Sequence, residues 1–101
     1  MPALSEYSNV YDTAIAVLHS KGFRVWYDDS ANCFCAERDG WDFVSESPCG
    51  LLGLISIYEF HQPKAYSEYW WRIEAATNSR NLPNKPPSYT PVWRISQNHN
   101  D

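Results

Sequence analysis

The stretch that decides the fold runs Phe23-Arg24-Val25-Trp26-Tyr27-Asp28-Asp29-Ser30-Ala31-Asn32-Cys33-Phe34-Cys35-Ala36-Glu37-Arg38-Asp39-Gly40-Trp41-Asp42-Phe43-Val44-Ser45-Glu46. Phe23, Val25 and Tyr27 alternate with Arg24, Trp26 and Asp28, a period of two that predicts a strand over 23–28. Asp29-Ser30-Ala31-Asn32 is turn chemistry, since Asp, Ser and Asn side chains bond to nearby backbone. Residues 33–38 then predict the return strand. Asp39-Gly40 is a two-residue hairpin signal, because both positions of such a turn take positive φ. Residues 41–46 predict a third strand. Tight turns joining three strands make an antiparallel meander.

Working outward, the period changes to 3.6 on both sides. Val10, Ala14, Val17 and Leu18 form one stripe, extended by Tyr7 and Tyr11, and predict a helix over 5–21 that packs on one face of the meander. Ser5 or Ser8 is its expected N-cap, with Glu6 and Asp12 near the positive end of its dipole. Gly22 stands where a left-handed C′ glycine ends a helix. After the meander, Ser47-Pro48 reads as N-cap and first helical residue. Leu51, Leu52, Leu54, Ile55 and Tyr58 cover most of the circumference, which predicts a largely buried helix. Gly50 and Gly53 within it are read as points of close packing on the sheet or first helix. The helix ends at His61-Gln62-Pro63, because proline disfavours helix in the residue before it.

Residues 64–77 fit two patterns. Tyr66, Tyr69, Trp70 and Ile73 follow the helical template, whereas Tyr69-Trp70-Trp71-Arg72-Ile73 suits a strand by propensity; helix is preferred. From Asn78 to Pro91 the composition predicts an extended, polyproline-like strap anchored by Tyr89 and Trp93. Val92-Trp93-Arg94-Ile95 reads as a short edge strand or tethered tail, and residues 96–101 as a disordered tail. The fold class is therefore α+β: an N-terminal helix, a three-stranded antiparallel meander, one or two helices and an extended Pro-rich C-terminal segment. The expected organisation is one domain over 1–95.

Composition narrows the function. The chain has 101 residues and a net charge of −4, which disfavours direct binding of nucleic acid. No apolar run approaches the ~20 residues that span a bilayer. Three cysteines and no signal-like N-terminus lead to the expectation of a soluble, cytoplasmic protein with reduced thiols. Sixteen aromatic residues (five Trp, seven Tyr, four Phe) are more than a core of this size hides, so some are expected at the surface as interface anchors. Charge is uneven. Residues 28–47 hold six carboxylates against Arg38 alone, a balance of −5, while residues 61–101 hold five cations against three acids, a balance of +2.

No catalytic or cofactor pattern stands out, so the chain reads as a binding protein and not an enzyme, with no cofactor and no metal. Cys33 and Cys35 lie two apart on one strand and face the same side, a poor match to zinc-knuckle spacing, and core cysteine is the preferred reading. Cys49 falls at the second position of the second helix, where the dipole favours thiolate. His19 and His61 are conceivable bases, but no third orienting group is evident. The acidic rim is the most informative feature. Asp28, Asp29, Glu37, Asp39, Asp42 and Glu46 are expected to cluster at one end of the meander, with Trp26, Tyr27 and Trp41 as aromatic anchors beside them.

Gly22-Phe23-Arg24-Val25-Trp26-Tyr27, Ala36-Glu37-Arg38-Asp39-Gly40-Trp41, Leu51-Leu52-Gly53-Leu54 and Glu68-Tyr69-Trp70-Trp71 together resemble the small acidic immunity proteins of bacterial toxin–immunity systems. The resemblance extends in pattern over residues 5–73. It implies a protein-binding inhibitor that neutralises a cognate toxin by plugging its basic active-site cleft, and hence a basic protein, a toxin domain, as partner. The alternative is a small adaptor or homodimeric module that uses the aromatic C-terminal region.

Overall fold

The computed structural model of the chain describes residues 3–74 and 81–94. The principal elements fall within one compact unit, Glu6–Arg72. A 3-10 turn over Ser8–Val10 leads into helix α1, Tyr11–Ser20, followed by strands β1 (Arg24–Asp28), β2 (Cys33–Arg38) and β3 (Trp41–Ser45) and by helix α2, Pro48–His61. The sheet order is β1-β2-β3, antiparallel throughout. This is the expected α+β meander.

Helix α1 begins later than its apolar stripe suggests. Neither Ser5 nor Ser8 caps it: the N-cap position is Val10, which has no capping side chain, and the Ser5 hydroxyl donates instead to the Ala3 carbonyl. Tyr7 lies before the helix and is exposed, so only Ala14 and Leu18 of the stripe are fully buried. The C-terminus is as expected. Gly22 has φ +89°; its N–H donates to the His19 carbonyl and the Phe23 N–H to the Leu18 carbonyl. This pair of bonds satisfies orphan carbonyls of the last turn and brings Phe23 back onto Leu18.

The hairpin turn at Asp39 and Gly40 has positive φ at both residues, 54° and 86°, as a two-residue turn matched to the sheet twist requires. Register places Val25, Ala36 and Phe43 side by side. With alternation, Phe23, Val25, Phe34, Ala36, Arg38, Trp41 and Phe43 face the helices, and Arg24, Trp26, Asp28, Cys33, Cys35, Glu37, Asp42 and Val44 face away. Leu18, Phe23, Ala36, Phe43, Leu51 and Ile55 form the core. Phe23 and Phe43 meet edge to face at 5.9 Å, a geometry that adds about 0.5–1.5 kcal/mol to burial alone. Arg38 lies on the helix-facing side: its guanidinium sits 4.5 Å from the Phe23 ring centroid and donates to the Lys21 carbonyl at 2.6 Å, at the negative end of α1.

Two links show that α1 and α2 run side by side in the same direction. At their starts, Ser47 caps α2 by accepting the Gly50 N–H at 2.9 Å and donates its own proton to the Glu6 carboxylate. At their ends, Lys21 and Glu59 form an ion pair at 2.8 Å. Gly50 packs against Ser45 of β3, as expected of a close-approach glycine. Gly53 does not, because a Cβ there would meet nothing within 4 Å. Helix α2 is also less buried than its composition suggests: only Pro48, Leu51 and Ile55 are fully buried, while Leu54, Ile57 and Phe60 are exposed. A helix lying on one sheet covers one stripe, so apolar residues beyond that stripe remain in water.

Residues 64–74 form neither the preferred helix nor the alternative strand. They fold as two turns, closed by Trp70 N–H to the Ser67 carbonyl and Arg72 N–H to the Tyr69 carbonyl, with Tyr69 at φ 58°. The left-handed backbone at Tyr69 breaks the helical period. Trp70 is instead drawn into aromatic contact with Trp41, Tyr58 and His61. The rest of the expected element, 75–77, lies outside the described residues.

The second unit includes described residues 3–5, 73–74 and 81–94. Residues 82–91 carry no helix or strand, as expected of a proline-rich segment, but Tyr89 is exposed and does not act as an anchor. Residues 92–94 make a helical turn, not an edge strand, closed by Arg94 N–H to the Pro91 carbonyl. Ile95 and the expected tail 96–101 lie outside the described residues.

Candidate protein-binding surface

The six acids do not share one end of the meander. Antiparallel register puts Asp28, Asp29 and Glu46 at the end of the β1–β2 turn and Glu37, Asp39 and Asp42 at the end of the β2–β3 turn. A five-residue strand separates the two groups by about 13 Å. Both turns carry Asp, which gives them one local signature, but a meander sends successive turns to opposite ends.

Two of the six are also occupied locally. Asp28 Oδ1 accepts the Ser30 hydroxyl at 2.7 Å and the N–H groups of Ser30 and Ala31. The Ser30 hydroxyl, followed by the Ala31 and Ser30 N–H groups, holds the carboxyl of Asp28 below its ordinary value. Glu37 bridges the other turn. One oxygen accepts the Gly40 N–H at 2.9 Å and the other accepts Arg24 Nε and Nη2 at 2.9 and 2.6 Å. The Gly40 N–H first and Arg24 second lower its pKa. Both residues hold turns. Among the described residues Asp42 makes no side-chain hydrogen bond or ion pair, and Asp39 has only Arg38 Nε at 4.0 Å.

The three proposed anchors separate as well. Trp26 is exposed on the face away from the helices. Tyr27 lies on the opposite face, packed edge-on against Phe34 at 5.0 Å, with its hydroxyl donating to Asn32 Oδ1 at 3.3 Å. Trp41 stands across the sheet from both, on β3. It meets Tyr58 at 5.2 Å and Trp70 at 5.6 Å.

What the structure does bring together is Trp41, Asp39 and Asp42 with Lys64, Tyr66 and Trp70, around a depression of about 460 Å³. A second, more apolar depression of about 480 Å³ adjoins it, lined by Asp42, Phe43, Val44, Leu54, Ile57, Trp70 and Trp71. Trp70 and Asp42 border both. Sequence reading assigned the acidic face and the Trp70–Trp71 region to rival functions; the tertiary fold joins them. Leu54 belongs to the stripe expected to be buried and Ile57 carries no expectation of its own; the available signal is that α2 has more apolar residues than one stripe holds.

The structure does not bring Cys49 to His19 or His61. Cys35 is buried between strands on the outer face, where burial foremost and the neighbouring Cys33 next push its thiol pKa up. Cys49 sits in the first turn of α2 and His61 at its last residue, about 18 Å apart along the axis. His19 lies near Lys21 at the end where α1 is tied to Glu59, again remote from Cys49. Among the described residues no group of three or more His, Cys, Asp or Glu side chains could hold a metal ion, and no helix is long and apolar enough to cross a membrane.

Comparison with protein-family models, with curated proteins and with solved structures gave no significant match. The class of the molecule therefore rests on its own geometry: an α+β meander whose distinctive surface is acidic and aromatic.

Proposed function

We propose that this protein is a protein-binding inhibitor of the immunity type, which neutralises a basic toxin domain by occupying its active-site cleft. The observation that carries the reading is the meeting of two weakly engaged carboxylates, Asp39 and Asp42, with the half-buried Trp41 and Trp70 and the exposed Tyr66. Such a surface has the two parts an inhibitor of a basic cleft needs. Weakly engaged carboxylates speed the encounter with a partner of opposite sign. Aromatic anchors exclude water around the seated cations and slow dissociation. The net charge of −4 acts in the same direction.

The test is capture of partners from native lysate by the tagged protein at low and high salt, with the Asp39→Lys/Asp42→Lys variant and an Asp29→Lys/Glu46→Lys variant in parallel. The expected result is a basic protein retained at low salt, weakened by high salt, lost with the first variant and kept with the second. Equal retention by both variants would remove the proposed surface.

A second reading is a small adaptor or homodimeric module. It is favoured by the exposure of Leu54, Ile57 and Trp71 along one depression. Light scattering across a concentration series tests it: a dimer that Leu54→Glu dissociates supports it, and a monomer throughout leaves the inhibitor.

A further inference from the structure

We propose that the free edge of β3 takes up an extended segment of the partner as a fourth, antiparallel strand, with a cationic side chain beside Asp42 and an apolar one over Leu54 and Ile57. The inference deepens the inhibitor reading, on which it rests in taking the partner to be a basic polypeptide.

The hairpin fixes which backbone groups of β3 face outward. A two-residue turn makes its flanking residues, Arg38 and Trp41, a hydrogen-bonded pair, and such pairs alternate along an antiparallel ladder. Trp41, Phe43 and Ser45 therefore direct their backbone groups to β2, opposite Arg38, Ala36 and Phe34. Asp42 and Val44 direct theirs outward. Among the described residues β3 ends the sheet and no backbone hydrogen bond reaches Asp42 or Val44 from outside it. An unpaired edge is a template for strand addition unless it is blocked by proline, a bulge or a covering element. Here Val44 is 57 % exposed, and Leu54 and Ile57 beside it are 37 % and 42 % exposed.

Side-chain alternation then specifies the occupant. The residue opposite Val44 lies on the outer face and packs on Val44 as an apolar or β-branched residue. The next, opposite Phe43, points to the helix side, into the depression floored by Leu54 and Ile57. The third, opposite Asp42, returns to the outer face beside the only charged side chain among the described residues that line that depression. Its carboxylate makes no ion pair among the described residues, so the fitting residue is Lys or Arg. The segment reads apolar–apolar–cation from its N-terminus. A second copy of this chain is the poorer occupant, because pairing two β3 edges would bring Asp39 and Asp42 of two molecules of charge −4 to one seam.

The probe is the capped peptide Ser-Thr-Val-Leu-Lys-Thr-Ser, titrated into the full-length ¹⁵N-labelled protein. The expected result is saturable shifts at Asp42, Val44, Leu54 and Ile57, with slowed amide exchange at Asp42 and Val44. N-methylation of the peptide's Val or Lys should weaken binding about tenfold, the loss of one edge hydrogen bond, whereas N-methylation of its Leu should not. Absence of saturable shifts at millimolar peptide, indifference to N-methylation, or the same shifts arising from protein concentration alone would each overturn strand addition. Val44→Pro adds a check on the protein side, since it removes an outward N–H and leaves the β2 ladder intact. If Asp39→Lys/Asp42→Lys abolishes capture of the lysate partner while Val44→Pro does not, the inhibitor reading stands and strand addition falls. If the peptide binds and Val44→Pro abolishes it while lysate capture is insensitive to salt, strand addition stands and the inhibitor reading falls.

Discussion

Gly50 lies so close to Ser45 that a Cβ built on it would stand 1.8 Å from the Ser45 Oγ and 3.0 Å from its Cβ. This contact sets how tightly the first turn of α2 approaches the end of β3. Rotation of the hydroxyl relieves the first clash but not the second. Gly50→Ala is therefore expected to destabilise by about 1–2 kcal/mol, the overpacking cost exceeding the gain in helix propensity. Gly53→Ala meets open space and should stabilise by about 0.5–1 kcal/mol. Thermal unfolding of the two variants should shift in opposite directions, by several degrees each.

Ser47 holds both the Gly50 N–H and the Glu6 carboxylate at the start of α2. Ser47→Ala leaves a helical N–H without its acceptor and Glu6 without its donor, and should cost about 1–2 kcal/mol. Glu6→Gln keeps a hydrogen-bond acceptor but loses the charge that favours the helix N-terminus, so a smaller loss is expected. Urea midpoints at constant slope measure both.

Acid should loosen the two sheet turns. The carboxyls of Asp28 and Glu37 are held below their ordinary values of 3.8 and 4.5. A carboxylate with a lowered folded pKa contributes stability above its unfolded pKa and loses it as pH falls through the folded one. Stability should thus be level above about pH 5 and decline progressively below about 4.5. Asp28→Asn and Glu37→Gln should each flatten that decline while lowering the plateau. Unfolding measured from pH 7 to 2.5 checks the sign; a decline unchanged in both variants would contradict the assignment.

Cys35 is 7 % exposed and Cys33 and Cys49 are half-buried. Burial and a raised pKa keep Cys35 a neutral thiol at pH 7.5, and the thiolate is the reactive form. Iodoacetamide should therefore modify Cys35 at least tenfold more slowly than Cys33 in the native protein, with the difference vanishing in urea. Peptide mass spectrometry reads the three sites separately.

Much of the fold was legible because its signals are local. The change from period two to period 3.6, the Asp39-Gly40 turn, the Gly22 C′ position and the Ser47-Pro48 start each depend on backbone preferences within a few residues. β2 was read with its observed bounds and α2 with its observed start and end. The reading failed where distant parts compete for the same residues. Tyr66, Tyr69, Trp70 and Ile73 satisfy a helical template, yet Trp70 is held by Trp41 and Tyr58, and Tyr69 takes positive φ to deliver it.

The order and type of α1, the three strands and α2, the turn chemistry and the excess of acid and aromatic side chains are set by the chain alone, because these follow from composition and short-range geometry. Only the tertiary structure decided which acids stand together. The meander sent Asp28 and Asp29 to one end and Asp39 and Asp42 to the other, local donors took Asp28 and Glu37, and the turn at 67–72 set Trp70 beside Asp42. Burial of one stripe of α2 left Leu54 and Ile57 open beside the β3 edge. A binding surface is a relation among residues far apart in the chain, and their spacing is set by packing, which no local pattern carries.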